Sequence, residues 1–183
     1  IKLNDFPVFG KFSKDGNYFI VLNSKSEPDN KNFTKKGEVF VIKFNNVDNF
    51  SHFLVSKVEV EENPSSFCIN PQGDRVIVVN MNRSFEYPFH ETITGKSSIS
   101  ILNFNNEGNI SKNKTVEIEG IMPTEINFDK TGKNFAISFI QLLNYGKKFG
   151  GISFYKFDEH ENVIKQSKDF FTNMGLNLFK IVE

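Results

Sequence analysis

The chain has 183 residues, 38% hydrophobic and 24% charged, and its 22 basic side chains are balanced by 22 acidic ones. That composition is globular. No apolar run approaches the ~20 residues of a spanning helix, and no basic stripe is available to neutralise phosphates, which argues against a membrane span and a nucleic-acid partner. The single Cys68 has no second Cys for a disulfide or a zinc site.

In chain order, Ile1 and Leu3 have the pattern of the end of an outer strand. A spacing then begins that recurs three times. Pro7, Phe12 and Gly16 are followed by Pro64, Ile69 and Gly73 and by Pro123, Phe128 and Gly132, so the Gly-to-Gly period is 57 and then 59 residues. Each Gly precedes a short apolar stretch: Tyr18 to Leu22, Val76 to Val79, Phe135 to Ile140. A variable loop follows, then an alternating segment closing in Phe: Val39 to Phe44, Ile99 to Phe104, Ile152 to Phe157. The last segment of each unit is weaker: Phe53 to Val60, Thr115 to Ile118, and the region of Val163 to Phe171. β-Branched and aromatic residues with a period near two dominate, and no sustained helical period occurs. Asp15-Gly16 and Gln72-Gly73 suit tight turns in which Gly takes φ > 0.

Four antiparallel strands per repeat predict an all-β fold, a β-propeller built from four-stranded antiparallel blades. The expected divisions are the outer strand of a preceding blade (1–4), three blades (5–62, 63–121 and 122–173) and the start of a further one (174–183). Leu176, Phe179 and Ile181 repeat the spacing of Pro64, Phe67 and Ile69 in an inner strand. Closed propellers need about four to eight blades. The expectation is therefore about three blades of seven, with the remaining blades, on the same polypeptide or on a second chain, as the first partners.

Two segments carry a family resemblance. Phe12-Ser-Lys-Asp-Gly-Asn-Tyr-Phe-Ile-Val-Leu-Asn23 and Ile69-Asn-Pro-Gln-Gly-Asp-Arg-Val-Ile-Val-Val-Asn80 resemble the repeat of YVTN-type and lactonase-type propellers. Ser98-Ile-Ser-Ile-Leu-Asn-Phe-Asn-Asn-Glu-Gly-Asn-Ile110 is similar to the segment that follows it in the 6-phosphogluconolactonase-like branch. The third unit departs from the pattern, with Thr131 in place of the turn Asp and Phe139 in place of the strand-ending Asn. The resemblance implies hydrolysis of a sugar-acid lactone of the 6-phosphogluconolactone type. Cytoplasmic and exported locations both occur among such proteins, and both stay open here.

Function on such a scaffold usually rides on variable loops. The loops between second and third strands are long and unlike one another (23–37, 80–96 and 141–150), which puts the working face on their side, near the central channel. The middle loop contains Arg83, Glu86, Tyr87, His90 and Glu91, and Arg83 is one of only two Arg among the 22 basic residues. An imidazole or carboxylate there (His90 or Glu86) could serve as general base, and a guanidinium could hold a phosphate or carboxylate. Tyr87 is a further substrate contact. Glu125, at the start of an inner strand on the same face, is a third catalytic carboxylate or a turn cap. Asn23 and Asn80, ending the second strands, line the channel or simply terminate those strands. Arg75, His52 and His160 read as surface residues on the far face, and Cys68 as a small buried hydrophobe.

No phosphate-binding loop, calcium loop, H-E-x-x-H or C-x-x-C is present, and no cofactor or metal is called for. Two readings remain: a lactonase-like hydrolase, or a non-catalytic module binding a protein or glycan through the same face.

Overall fold

The computed structural model describes residues 6–24, 36–44, 51–86, 96–142 and 149–173. They form three antiparallel sheets, each drawn from consecutive stretches of chain. The first sheet runs β1 (Phe6–Phe12), β2 (Tyr18–Ser24), β3 (Lys36–Lys43) and β4 (Phe53–Glu62), in that spatial order. The second runs β5 (Pro64–Ile69), β6 (Arg75–Asn80), β7 (Ser97–Phe104) and β8 (Ile110–Ile118). The third has β9 (Ile121–Phe128), β10 (Asn134–Gln141) and β11 (Phe149–Phe157), with β12 (Val163–Lys165) and β13 (Phe170–Asn173) end to end along β11. The fold is all-β with four-stranded up-and-down sheets, the arrangement of propeller blades.

Hydrogen-bond register carries the repeat seen in the sequence. Asn23 pairs with Pro7, Asn80 with Pro64 and Phe139 with Pro123. In all three inner strands the register shifts just past the Pro, leaving Val8, Ser65 and Thr124 as bulged residues. Pro suits this place because it has no N–H to give to a ladder. At the other end of each inner strand the turn is closed by a Gly N–H donated three residues back: Gly16 to Ser13, Gly73 to Asn70 and Gly132 to Asp129. Polar side chains fix these turns. The Asn70 carboxamide oxygen accepts the N–H groups of Gly73, Asp74 and Arg75, and Thr131, the departure from the repeat, is held by Asp129 at 2.9 Å.

The sheets stack face to face and the core lies between them. Tyr18, Ile20, Leu22, Val39 and Val41 of the first meet Phe67, Val76, Val78, Leu102 and Phe104 of the second. Ile77, Val79, Ile99 and Ile101 of the second meet Ile126, Phe135, Ile137, Phe139 and Tyr155 of the third. Aromatic edges key these layers, as in Phe9 on Phe67 at 5.3 Å and Tyr18 on Phe104 at 5.9 Å. The outer edges are tied by charge: Glu61 of β4 accepts from Lys112 and from Thr115 of β8. The third repeat's final segment, expected as one strand, is broken. Gln166 donates its N–H to Phe154 in the gap, and Lys165 pairs with Asp169 at 3.3 Å.

Candidate functional site

Strands β1, β5 and β9 are the inner strands, and their side chains alternate between the preceding and following sheets. Phe67 and Ile126 pack inward between sheets. The residues beside them, Ser66 and Cys68 of β5 and Glu125 and Asn127 of β9, take the other direction, as does Lys11 of β1. Ser65 joins neighbouring inner strands by donating to the Pro123 carbonyl at 2.6 Å.

Glu125 is the chemically distinctive group in this row. It is 8% exposed, and burial pushes its carboxyl above the ordinary glutamate range, with the Lys11 charge and the Ser66 hydroxyl countering part of that shift. A carboxyl held in this way can give and take a proton nearer neutral pH than an exposed one. Cys68, two residues from Ser66, is buried and its thiol pKa is driven far upward by burial, so it is a packing residue with little thiolate.

The root of the middle loop is built against the start of β9. The loop opens with a 3₁₀ helix, Asn82–Glu86. Its Ser84, fully buried, accepts the Met122 N–H at 3.0 Å and lies 2.9 Å from the Ser97 hydroxyl, which donates to Gly120. Asn63, in the crossing from β4 to β5, donates to the Asn82 carbonyl at 3.0 Å and accepts the Met81 N–H at 2.9 Å. The root of the long middle loop is therefore seated on the first residues of β9, the strand that carries Glu125. Backbone strain gathers there too. Asn63, Asn82 and Met122 adopt φ of +49°, +48° and +52°, a conformation that costs a non-Gly residue about 1–3 kcal/mol and clusters at functional sites.

The sequence candidates separate. Arg83 is exposed on the 3₁₀ helix at the root of the middle loop. His90, Tyr87 and the side chain of Glu86 lie outside the described residues. Asn80 turns away from the axis: fully buried, it donates to the hydroxyls of Ser98 at 3.2 Å and Ser100 at 3.1 Å on β7, within the layer between the first two sheets. Asn23 is also fully buried, and neither its amide nitrogen nor its oxygen has a partner. It shares the alternation of Phe19 and Val21, on the face of the first sheet that points away from the second. The reason is register: a residue opposite the inner-strand Pro is placed between blades. Arg75, read as a surface residue, stacks over Phe157 at 4.5 Å and pairs with Glu161 at 2.6 Å, joining the second sheet to the third.

Sequence reasoning missed Lys11 and Ser66. The signal was available in the repeat: Lys11, Cys68 and Asn127 occupy equivalent positions, as do Phe9, Ser66 and Glu125, so a charge in either row stands where other repeats carry an apolar or small residue facing the following sheet. Among the described residues no group of three or more His, Cys, Asp or Glu is arranged to hold a metal ion.

No protein family and no curated protein matches the chain. Solved structures do. A protein from Lactobacillus plantarum aligns with a TM-score of 0.65 at 12% identity, over 96% of this chain and 45% of its own. A hypothetical selenium-binding protein from Sulfolobus tokodaii aligns at 0.57 and 8% identity, over 96% and 42%. A eukaryotic initiation factor aligns at 0.51 and 14% identity, over 97% and 37%. At such identities the likeness is one of fold. The chain spans less than half the length of each of these proteins.

Proposed function

We propose that the three sheets are consecutive blades of a β-propeller and that further blades cover the open face of the first. The support is positional. Phe19, Val21, Asn23 and Ile42 on that face correspond by register to Val76, Val78, Asn80 and Leu102 of the second sheet, all buried against the sheet before it. The buried, unpartnered Asn23 is then a group awaiting a neighbour.

For its activity, we propose hydrolysis of a sugar-acid lactone at the long-loop mouth. The observation that carries this reading is the buried Glu125 carboxyl with its raised pKa. In its ionised form Glu125 takes a proton from water attacking the lactone carbonyl, and it returns that proton to the departing ring oxygen. Arg83 holds the substrate's phosphate or carboxylate, and His90, Glu86 and Tyr87 complete the site from the loop. The sequence resemblance to lactonase-type propellers supports the substrate class. The test is release of acid from 6-phosphogluconolactone by the intact native protein. A rate reduced about a hundredfold or more in Glu125→Gln is expected for loss of a general base. A rate equal to buffer in the unaltered protein overturns the proposal.

The alternative is a non-catalytic module that binds a protein or glycan on the same face. Its specific support is the position of Asn23 and Asn80 between sheets, which leaves fewer polar groups converging on the channel.

A further inference from the structure

The inner strands enclose a second opening on the short-turn side, away from the long loops. A cavity of about 430 Å³ lies there between β1, β5 and β9. Its charged lining is entirely basic: Lys11 of β1 and Lys14 from the turn that follows. Among the described residues no carboxylate lines it or lies within ion-pair distance of either ammonium. The acids nearby are engaged elsewhere. Asp15 is held by Ser13 at 2.6 Å and Asn17 at 2.7 Å within its own turn, and Asp74 accepts from Asn70 at 2.7 Å. Glu125, beyond Lys11 on the same side of the inner strands, is buried.

The adjacent cleft between the second and third sheets, about 510 Å³, makes the contrast plain. It holds Arg75 and Lys133 together with Asp74, Asp158, Glu159 and Glu161, so carboxylates outnumber the cations there. In a chain with 22 basic and 22 acidic side chains, two cations and no carboxylate lining one concavity create a local positive potential there, which low-dielectric walls focus and which the nearby Glu125 and Asp15 reduce without lining the cavity. The remaining walls include Phe12, Phe128 and Ile69, which give an apolar seat for the rest of a ligand.

We propose that this mouth binds a small organic anion, a phosphate or carboxylate carried on an apolar or ring-shaped body. Lys11 and Lys14 hold the charged group, and Phe128 and Ile69 border the body. The site lies on the short-turn side, shares Lys11 with the surroundings of Glu125, and extends function to the face opposite the long loops.

Calorimetric titration of the intact native protein with phenyl phosphate and with benzoate, at low salt, tests this. Saturable binding of at least one of the two is expected, and which binds tighter assigns the charged group. Lys11→Gln and Lys14→Gln each weaken it about tenfold or more, the size expected for a lost charge-assisted hydrogen bond. Lys11→Arg keeps it within about threefold because the charge remains. Lys133→Gln, in the neighbouring cleft, leaves it unchanged, and benzyl alcohol, with the same body and no charge, does not bind. Thermal melts of each variant separate lost binding from lost folding. Absence of binding by both anions, or binding indifferent to both lysine substitutions, overturns the proposal. Glu125→Gln removes a nearby negative charge, so it binds the anion at least as tightly while lactone hydrolysis is lost. Failure of one proposal is thus distinguishable from failure of the other.

Discussion

Gly16, Gly73 and Gly132 sit at φ of +73°, +87° and +71°, where a Cβ is opposed by the backbone itself. At Gly16 an added Cβ would meet nothing within 4 Å, so Gly16→Ala isolates the backbone cost. A loss of about 1 kcal/mol in urea unfolding is expected, and a smaller loss for Gly16→Asn, because Asn tolerates the left-handed region better. Glu125 makes a prediction in pH. Its folded pKa lies above the unfolded value, so its protonated form stabilises the fold at low pH, and that contribution fades as pH rises through the raised value. Stability measured from about pH 4 upward should therefore fall more steeply in the native protein than in Glu125→Gln, and near neutrality the Gln variant should be the more stable. Identical pH profiles would mean that the carboxyl is solvated in solution.

The elements of this protein are strands whose ends matter more than their middles. The second strands of each repeat were legible as short apolar runs rich in Val, Ile and Phe, buried on both faces, and the third strands by their alternation. The 3₁₀ helix at Asn82–Glu86 was not legible. Five residues carry no period, and what holds them is Ser84, which reaches the Met122 N–H 38 residues later in the chain. Ser84→Ala would leave that N–H and the Ser97 cluster without their central hydroxyl, at a cost of about 1–3 kcal/mol. Because the same contact seats the loop root against β9, hydrogen exchange in Ser84→Ala should quicken at Met122 and Asn82 while the turn at Asn70 to Gly73 keeps its protection. Uniform quickening through all three sheets would show that the contact supports the whole fold and not this corner.

For the whole molecule, each sheet depends on its neighbour to cover an apolar face. The two inner layers are closed. The far face of the first sheet carries Phe12 at 51% and Leu54 at 43% exposure beside Phe19, Val21 and Ile42. An apolar surface of this kind marks an interface. If further blades cover it in the native protein, the 183-residue chain produced alone should self-associate, and Leu54→Lys should reduce that association in sedimentation measurements without lowering the melting temperature. A monodisperse chain that is indifferent to Leu54→Lys would remove the case for a covered face.

The residues themselves determined the repeat. Pro placed nine residues before Gly, a short apolar strand after it and an alternating segment closing in Phe are local demands of backbone sterics and of burial, and each can be read without knowing what lies opposite. Which polar residues share a site was decided only by tertiary structure. Asn23 and Asn80 carry the same signature as channel residues, yet register turns them between sheets. Lys11 and Glu125 are 114 positions apart in the sequence and come together only because inner strands of successive sheets lie side by side. Sequence pattern reports the period of burial along one strand; the convergence of charges from different strands depends on how the sheets are stacked, which no local period encodes.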